Sequence, residues 1–384
     1  MIIANRDHQL LCNTLEVFRE DSTLSSVEFD IISLNTKKEE YESDFLFRKI
    51  YETSVFDFIL KIRFLRIIFH FINFRLALNR ALQENCYDFI HVHYVENILL
   101  YNHKYFFNKL KTSLIVSVWG SDFYKASRFK RSILVKYLQK AVKVTIPNSQ
   151  GIDDIYDYYR IPEVRDKIDF VPFFLKPLHE LKMISLDDVK SFNDSLGIRD
   201  TDLVITIGYN LRQNQQHLEI IKEIENCGLF DKMKDKIHFI LPLSYPSDPP
   251  YLQKIRSFIS DSNFKYTLLT NFIPNRDVAI LRKATSVFIQ LQITDMLSAS
   301  MIEHIYADNL VITGSWLPYK VLDEIGVDYL KIDSISDLPN TLYKAISNDT
   351  HNLVNNNSNL IETVYSKDNV FTNWKKTYDM VSHN

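Results

Sequence analysis

Two short apolar segments, Asp88-Phe-Ile-His-Val-His93 and Ser113-Leu-Ile-Val-Ser-Val-Trp119, indicate how the chain folds. Each is short and almost continuously apolar, which is typical of a strand buried on both faces of a parallel sheet. A helix is predicted between them, through Tyr101, and another from Lys130 to Ala141. Strands that alternate with helices in this way predict a parallel sheet covered by helices on both sides.

The same alternation extends in both directions along the chain. In the first half, further strands are predicted at Val27–Leu34, Val142–Pro147 and Ile168–Pro172. In the second half, strands are predicted at Leu203–Ile207, Ile237–Leu241, Tyr266–Leu269, Ser286–Ile289, Leu310–Thr313 and Tyr329–Ile332. The sequence therefore predicts an α/β protein of two Rossmann-like domains, whose strand ends we expect to face one cleft.

The length of 384 residues also favours two domains. A connection without strand character, Pro172–Asp202, separates the two series. We assign residues 1–175 to the first domain and 176–365 to the second. A C-terminal amphipathic helix, within 366–384, is expected to pack back on the first domain.

The composition excludes several classes of protein. A net charge of -3 gives no global reason to expect nucleic acid. The three cysteines are isolated in sequence, which argues against a zinc site or disulfide framework and favours a reducing, cytoplasmic compartment. The longest apolar segment, Phe58–Leu82, contains five basic residues, so it is not predicted to form a membrane-spanning helix.

In the second domain, Thr294–Glu303 follows a predicted strand and leads into a helix. Ser298 or Ser300 is expected to cap that helix, and Glu303 stands in capping-box spacing from Ser300. The free N–H groups and positive dipole end of a helix start suit a diphosphate. A capping box without any ligand is the alternative interpretation.

A second candidate segment, Ile207–His217, follows the first strand of the second domain. Gly208 lets the backbone approach a ligand closely, and Arg212 offers a planar fork to phosphate oxygens. Asn210 lies between them and is included among the donor-binding candidates. A solvated loop arginine is the alternative for Arg212.

The first domain supplies the candidates for acceptor binding and catalysis. Asp122 is expected to accept a proton or bind a sugar hydroxyl, and Trp119 to stack on a sugar. A helix cap and a core tryptophan are the alternatives. We assign His91 and His93 to opposite faces of their strand, so that only His93 reaches the ligand. Tyr94, which follows it, is placed on the acceptor side, and no metal site is predicted.

These motifs, in this order, resemble GT-B glycosyltransferases of the family 4 type. The resemblance rests on Asp88–His93, Val118-Trp-Gly-Ser-Asp122, Pro147-Asn-Ser149, Ile207-Gly-Tyr-Asn210 and the pair Asp295–Glu303, and spans most of residues 85–335. A looser likeness to the fucosamine transferases of enterobacterial common antigen rests on Leu241-Pro-Leu-Ser-Tyr-Pro246, with Asn210 and His217.

The resemblance implies a nucleotide-sugar donor bound mainly by the second domain. Glu303 matches the family's second acidic position, which holds the donor ribose, and Asp295 stands at the first, near the donor sugar. Arg212 matches the arginine of the diphosphate site. The sequence departs from the family in having Asp at 295, Asp-Met-Leu-Ser in place of a glycine-rich motif, no paired lysine after Arg212, and Trp119 where many members have histidine.

The function predicted is a metal-independent, retaining glycosyltransferase without a cofactor. It uses a UDP-, TDP- or GDP-linked sugar and a surface-polysaccharide or lipid-linked oligosaccharide acceptor, as in capsule or lipopolysaccharide synthesis. A sugar-nucleotide epimerase of the same fold and a non-catalytic subunit of a polysaccharide-assembly complex are the alternatives. A dinucleotide-linked oxidoreductase is disfavoured, because no GxGxxG follows the first strand of either half.

A basic segment predicts contact with a membrane surface. Lys104–Lys143 holds ten lysines and arginines against one acid, Asp122, and Phe58–Arg80 is basic and aromatic too. Such a surface suits anionic headgroups and a polyprenyl-diphosphate-linked acceptor on the inner face of the cell membrane. Shallow interfacial contact is expected from the aromatic side chains Tyr124, Phe129 and Tyr137. A solvated helical face, with these rings packed in the core, is the alternative interpretation. No nucleic-acid motif accompanies the charge.

Overall fold

The computed structural model describes residues 1–20, 27–37, 39–347, 354 and 356–382. The chain divides into two compact units, Met1–Phe174 with Tyr365–Asn384, and Leu175–Val364. We call them the first and second domains. The chain therefore leaves the first domain once and returns to it at its C-terminal end.

The first domain is built on a parallel sheet in the order β3-β2-β1-β4-β5-β6-β7. Its strands are β1 (Ile2–Ala4), β2 (Asp30–Ser33), β3 (Lys49–Glu52), β4 (Phe89–His93), β5 (Ser113–Ser117), β6 (Lys143–Ile146) and β7 (Ile168–Phe170). The strand β1 pairs with both β2 and β4, which puts this three-residue apolar segment in the interior of the sheet, next to the central strand β4. Residues at the carboxyl ends of β1, β4 and β5 therefore share one edge of the sheet.

Helices connect these strands. They are α1 (Gln9–Glu20), α2 (Asp57–Leu60), α3 (Arg63–Glu84), α4 (Asn97–Lys109), α5 (Ser121–Tyr124), α6 (Arg128–Lys140), α7 (Gln150–Tyr159) and α8 (Pro162–Arg165), with α18 (Lys367–Ser382) returning from the far end of the chain. Among the described helices, none combines enough length and apolar character to cross a bilayer.

The C-terminal helix α18 completes the core of the first domain. Trp374 and Tyr378 are buried there with Phe18 and Phe89, and the Tyr378 ring stacks on Phe89 with centroids 4.9 Å apart. The Trp374 indole N–H donates to the carbonyl oxygen of Pro172 at 2.8 Å. Burying this much aromatic surface ties the end of the chain to the sheet.

The second domain has a parallel sheet in the order β10-β9-β8-β11-β12-β13. Its strands are β8 (Leu203–Ile207), β9 (Ile237–Pro242), β10 (Lys265–Leu269), β11 (Val287–Gln290), β12 (Leu310–Gly314) and β13 (Leu330–Ile332). Its helices are α9 (Lys176–Leu181), α10 (Leu186–Ser195), α11 (His217–Asn226), α12 (Pro249–Ile259), α13 (Asn275–Ala284), α14 (Ala299–Tyr306), α15 (Lys320–Ile325), α16 (Leu338–Ser347) and α17 (Asn357–Tyr365). Because β8 and β11 pair at the centre, the segments that follow them meet at one edge.

The predicted α/β class with two parallel sheets is confirmed, although two strands of the first sheet were not predicted. The sequence prediction omitted β1 and β3, because three apolar residues are too few to show a period and Lys49–Glu52 is half polar. Of the two interpretations of Tyr137, the structure supports the core position, since its ring is buried and its hydroxyl donates to the carbonyl oxygen of Leu99.

Candidate functional site

A glycine turn follows β8 at the centre of the second sheet. The Gly208 N–H donates to the carbonyl oxygen of Ile289 at 3.0 Å, and its φ of 62° lies in the left-handed region. A Cβ at this position would lie 2.9 Å from Gln215 Oε1 and 3.0 Å from His217 Nε2. The turn thus needs glycine both for its conformation and for the space beside it.

Asn210 holds the next part of this loop. Its buried side-chain oxygen accepts hydrogen bonds from the backbone N–H of Arg212 at 3.0 Å and from Gln215 Nε2 at 3.4 Å. The Arg212 side chain is exposed, and it forms no ion pair with any residue that the structure describes. A free guanidinium on a fixed loop is well suited to binding an anion.

The helix α14 starts beside this loop, after β11. Its N-cap is Ser298, whose hydroxyl accepts from the backbone N–H of Met301 at 3.3 Å and from Gln290 Nε2 at 3.3 Å. Ser300 therefore lies inside the first turn and does not cap the helix. The capping-box spacing predicted between Ser300 and Glu303 is wrong, because Glu303 lies two residues too far along the helix from the true cap.

Several buried polar atoms around this edge have no hydrogen-bond partner among the described residues. Four lie after β8 or at the β11–α14 junction: Gln215 Oε1, His217 Nε2, Gln290 Oε1 and Ser300 Oγ. Leaving a buried donor or acceptor unpaired costs about 1–3 kcal/mol, and folded proteins rarely leave one so. Their concentration at one edge makes this edge a candidate site for a polar ligand.

Glu303 is held by an arginine that the sequence analysis missed. Both side chains are 6% exposed, and the Glu303 Oε2 accepts from Arg282 Nε at 3.1 Å and Nη2 at 3.0 Å. Arg282 lies on α13, where no motif marks it. The one feature of the sequence that could have pointed to Arg282 is its position on an otherwise apolar face of this helix. The pair leaves one carboxylate oxygen of Glu303 for the ribose contact that the resemblance implies.

Asp295 is positioned by a buried tyrosine. The Tyr319 hydroxyl donates to Asp295 Oδ2 at 2.7 Å. Burial raises the pKa of Tyr319 well above its usual range, and the neighbouring Asp295 carboxylate raises it further. Tyr319 therefore stays protonated at neutral pH and presents a steady donor that orients the carboxylate.

In the first domain, a cavity of about 310 Å³ opens at the ends of β1, β4 and β5. Its polar and aromatic lining includes His8, His93, Tyr94, Glu96, Trp119 and Ser121. The structure thus brings together three predicted residues of this domain, His93, Tyr94 and Trp119. Asp122 is not among the residues that line this cavity.

His91 and His93 lie on the same face of β4, not on opposite faces as predicted. Side chains alternate with a period of two, so residues two apart share a face, and the two ring centroids lie 3.8 Å apart with the ring planes tilted by 34°. His91 bonds to Ser117 and Tyr378, whereas neither ring nitrogen of His93 has a hydrogen-bond partner within the described residues. Burial lowers the pKa of His93 to about 3, so its imidazole is neutral at pH 7.

The Asp122 carboxylate is engaged by the backbone. Its oxygens accept from the N–H groups of Trp119 at 3.0 Å, Gly120 at 2.9 Å and Val95 at 3.3 Å. Burial raises the pKa of Asp122 to about 6 in spite of these bonds. The geometry favours the alternative in which this carboxylate fixes the loop after β5.

Trp119 and Tyr94 form the aromatic wall of the cavity. The Trp119 ring meets His8 edge to face at 4.0 Å, and its indole N–H is buried without a partner among the described residues. Tyr94 has a left-handed φ of 61°, and its hydroxyl accepts from Ser121 Oγ at 3.2 Å. Aromatic faces beside neutral hydrogen-bonding groups are the usual lining of a site for small polar molecules such as sugars.

The chain is similar to known proteins in part of its sequence and in its fold. Residues 21–152 match the family described as glycosyl transferase 4-like. No curated protein sequence matches the chain. Among solved structures, HepE from Anabaena in complex with UDP-glucose superposes with a TM-score of 0.72 at 10% identity, over 99% of both chains. The chain has the GT-B fold.

Two further structures support this conclusion about the fold. A glycosyltransferase from Rickettsia africae has a TM-score of 0.73 at 10% identity, covering 100% of this chain and 98% of the other. Sucrose-phosphate synthase from Thermosynechococcus elongatus has a TM-score of 0.72 at 11% identity, covering 99% and 98%. The predicted resemblance to GT-B glycosyltransferases of the family 4 type is confirmed. The likeness to fucosamine transferases stays a prediction.

Proposed function

We propose that this GT-B protein is a glycosyltransferase that uses a UDP-linked sugar. The observation that carries the proposal is the group of unpaired buried polar atoms around the start of α14, beside the free guanidinium of Arg212. A nucleotide sugar offers both kinds of partner to such a group. Its diphosphate oxygens accept hydrogen bonds from the Ser300 hydroxyl, a helix start and an arginine, and its hydroxyl groups donate to the amide oxygens. UDP-glucose in the HepE structure supports uridine as the nucleoside of the donor.

The donor contacts follow from the geometry of the second domain. Arg212 and the first turn of α14, with Ser300, bind the diphosphate and stabilise the charge that develops on it as the sugar leaves. The free oxygen of Glu303 accepts from a ribose hydroxyl. Asp295, oriented by Tyr319, binds the donor sugar, and the backbone at Gly208 lets the donor approach the sheet edge. The reaction needs neither cofactor nor metal.

The acceptor is proposed to bind in the cavity of the first domain. Neutral His93 hydrogen bonds to a sugar hydroxyl, and Trp119 and Tyr94 contact the apolar face of the sugar. Inversion needs a general base with a pKa near the working pH. His93, with a pKa of about 3, and Asp122, whose oxygens are taken by backbone N–H groups, are poor bases. We therefore favour retention of configuration.

The acceptor class is proposed to be a surface polysaccharide or its lipid-linked precursor, as in capsule or lipopolysaccharide synthesis. The protein then acts in the cytoplasm at the inner face of the membrane, where such precursors are assembled. Not all of the basic segment 104–143 is available for membrane contact, since Lys143 pairs with Asp169 and Arg131 packs on the rings of Phe123 and Tyr158. The other cations of that segment are proposed to attract anionic headgroups.

UDP binding in the presence of EDTA tests the donor site. Wild-type protein should bind UDP without added metal and more tightly than TDP or GDP, as measured by calorimetry. Arg212→Gln removes a charged contact of about 1.5–3 kcal/mol, so UDP should bind roughly tenfold to a hundredfold more weakly. Arg256→Gln, an exposed arginine on α12, is the matched control and should bind like wild type. A strict requirement for magnesium, or equal loss in both variants, contradicts the proposal.

Product analysis separates a transferase from its rivals. With UDP-glucose alone, an epimerase converts the donor into an isomer, whereas a transferase hydrolyses it slowly at most. A non-catalytic subunit changes nothing even when acceptor is present. Chromatography of the nucleotide sugar after incubation with and without a lipid-linked acceptor extract distinguishes these outcomes.

A further inference from the structure

A long apolar face is exposed on α2 and α3 of the first domain. The exposed large apolar side chains there are Phe56, Phe58, Ile62, Phe64, Ile67, Ile68, Phe69, Ile72 and Leu76. Four of them, Phe64, Ile68, Ile72 and Leu76, recur every fourth residue, so they form one stripe along α3. Phe64 is 71% exposed and Leu76 60% exposed.

This stripe is not the face by which α3 packs on its domain. The buried residues of the helix are Phe74, Ala77, Leu78 and Ala81, which point to the other side. A helix that is apolar on both sides is normally buried all round. Contiguous apolar surface of this kind on a folded domain marks a site of interaction with a partner or a membrane.

The charge around the stripe indicates what covers it. From Val55 to Gln83 the chain contains five lysines and arginines and one acid. Of these cations, Lys61 and Arg75 are exposed beside the stripe. In a symmetric dimer, this face would meet its own copy and bring like charges together. An anionic bilayer instead complements both the apolar stripe and the cations.

A cavity of about 750 Å³ adjoins the same helix. Arg66, His70 and Lys130 line it together with Asn5, Asp7 and Glu96. Neither Arg66 nor Lys130 forms an ion pair with a residue that the structure describes, although Lys130 lies close enough to lower the pKa of Glu96 against the effect of burial. Asn5 and Glu96 also line the smaller cavity of His93, so the two cavities adjoin.

We propose that the α2–α3 face docks on an anionic lipid leaflet and that the adjoining cavity receives the phosphate of a lipid drawn from it. The hydrocarbon lies against Phe64, Ile68 and Ile72, and the phosphate lies between Arg66 and Lys130. Docking needs no catalytic activity. That the bound lipid is the acceptor rests on the proposed function, because the phosphate then leads its sugar toward His93 and Trp119.

Vesicle flotation tests the docking face. Wild-type protein should float with phosphatidylglycerol-containing vesicles at low salt, more weakly at high salt, and not with pure phosphatidylcholine. Phe64→Ser with Ile68→Ser should weaken this binding about tenfold or more, because each removes apolar area that would enter the interface. Phe272→Ser, at a 77% exposed phenylalanine of the second domain, should leave it unchanged. Equal flotation of both variants, or a stable dimer that hides the face, overturns the inference.

Farnesyl phosphate, as a short lipid phosphate, tests the cavity. It should bind wild-type protein, and Arg66→Gln with Lys130→Gln should bind it about tenfold more weakly, as expected for the loss of charged contacts. Inorganic phosphate and farnesol should each bind far more weakly than the amphiphile. Unchanged affinity in the double variant overturns the cavity assignment. If wild-type protein binds UDP but not vesicles, membrane docking is refuted and the proposed donor stands. If it binds vesicles but not UDP, the proposed donor is refuted and docking stands.

Discussion

Ser298 and Ser300 belong to one turn of α14 but differ in their hydrogen bonds. Ser298 caps the helix, whereas the Ser300 hydroxyl is buried without a partner in the described part of the chain. Ser298→Ala should therefore lower the free energy of unfolding by about 1 kcal/mol, as other cap removals do. Ser300→Ala breaks no bond and should not destabilise the protein, yet it should weaken UDP binding.

Thermal melts with and without UDP measure both effects. The Ser300→Ala variant should melt at the temperature of wild type or above it, and show a smaller shift with UDP. If its UDP affinity equals that of wild type, Ser300 is not a ligand of the diphosphate.

Glu303 cannot be removed without a consequence for Arg282. Truncating one partner of a buried ion pair leaves the other charge uncompensated and costs about 3–5 kcal/mol. Glu303→Ala should therefore unfold at much lower denaturant concentration than wild type. Arg282→Met with Glu303→Leu should recover most of that stability, because it removes both charges, but it should not recover UDP binding.

Urea titration of the two variants, with UDP calorimetry on the double variant, provides the measurement. A stable Glu303→Ala protein would show that Arg282 finds another partner. Full UDP affinity in the double variant would exclude Glu303 from the ribose site.

Local spacing predicted the elements better than it predicted side-chain partners. The strand Leu203–Ile207 was predicted at its observed bounds, because its apolar run has sharp polar limits. The helix start at Ser298 was left open between two serines, since both fit a cap and only the backbone dihedrals decide. The partnership of Glu303 with Arg282 joins two helices, and no spacing within one element encodes it.

The turn after β8 offers a prediction at the level of an element. Gly208→Ala adds strain from a left-handed backbone, about 1–2 kcal/mol, and a Cβ in contact with Gln215 and His217. Gly326→Ala is the matched control, because its φ of 86° carries the same kind of strain but a Cβ there has nothing within 4 Å. Both variants should be destabilised, but only Gly208→Ala should also lose UDP binding. If the two variants bind UDP with similar affinity, the loop after β8 is not part of the donor site.

At the level of the whole molecule, the sequence predicted two parallel sheets because alternation repeats along the entire chain. It also predicted that a C-terminal helix packs back on the first domain, but it could not predict that the His91 and His93 rings lie side by side or that Tyr378 bonds to one of them. That contact joins His91 to Tyr378, which are far apart in sequence and share no motif. Long-range packing of this kind is decided by which surfaces remain to be covered once the sheet has formed.

Buried neutral histidines make the first domain sensitive to acid. Burial lowers the pKa of His8 to about 4 and of His93 to about 3, and it lowers that of His91 well below the usual value. Below pH 6.5 the unfolded chain binds protons at these positions and the folded domain does not. The free energy of unfolding therefore falls as pH drops below 6.5, by up to about 1.4 kcal/mol per pH unit for each histidine. Asp122 has the opposite effect on stability and offsets part of this loss. Its pKa of about 6 lets the folded domain hold a proton that the unfolded chain releases.

The contribution of His93 to the pH dependence of stability can be measured by comparing the protein with and without this histidine. Tryptophan emission reports the first domain in a Trp316→Phe background, because Trp119 and Trp374 both belong to that domain. Urea unfolding at pH 7, 6 and 5 should show a steady loss of stability in this background. Adding His93→Phe removes one proton-binding group from the unfolded chain, so the loss between pH 6 and 5 should shrink by about 1 kcal/mol. An identical pH dependence with and without the substitution would mean that His93 is protonated in the folded domain as it is in the unfolded chain. The neutral imidazole proposed to bind a sugar hydroxyl would then be excluded.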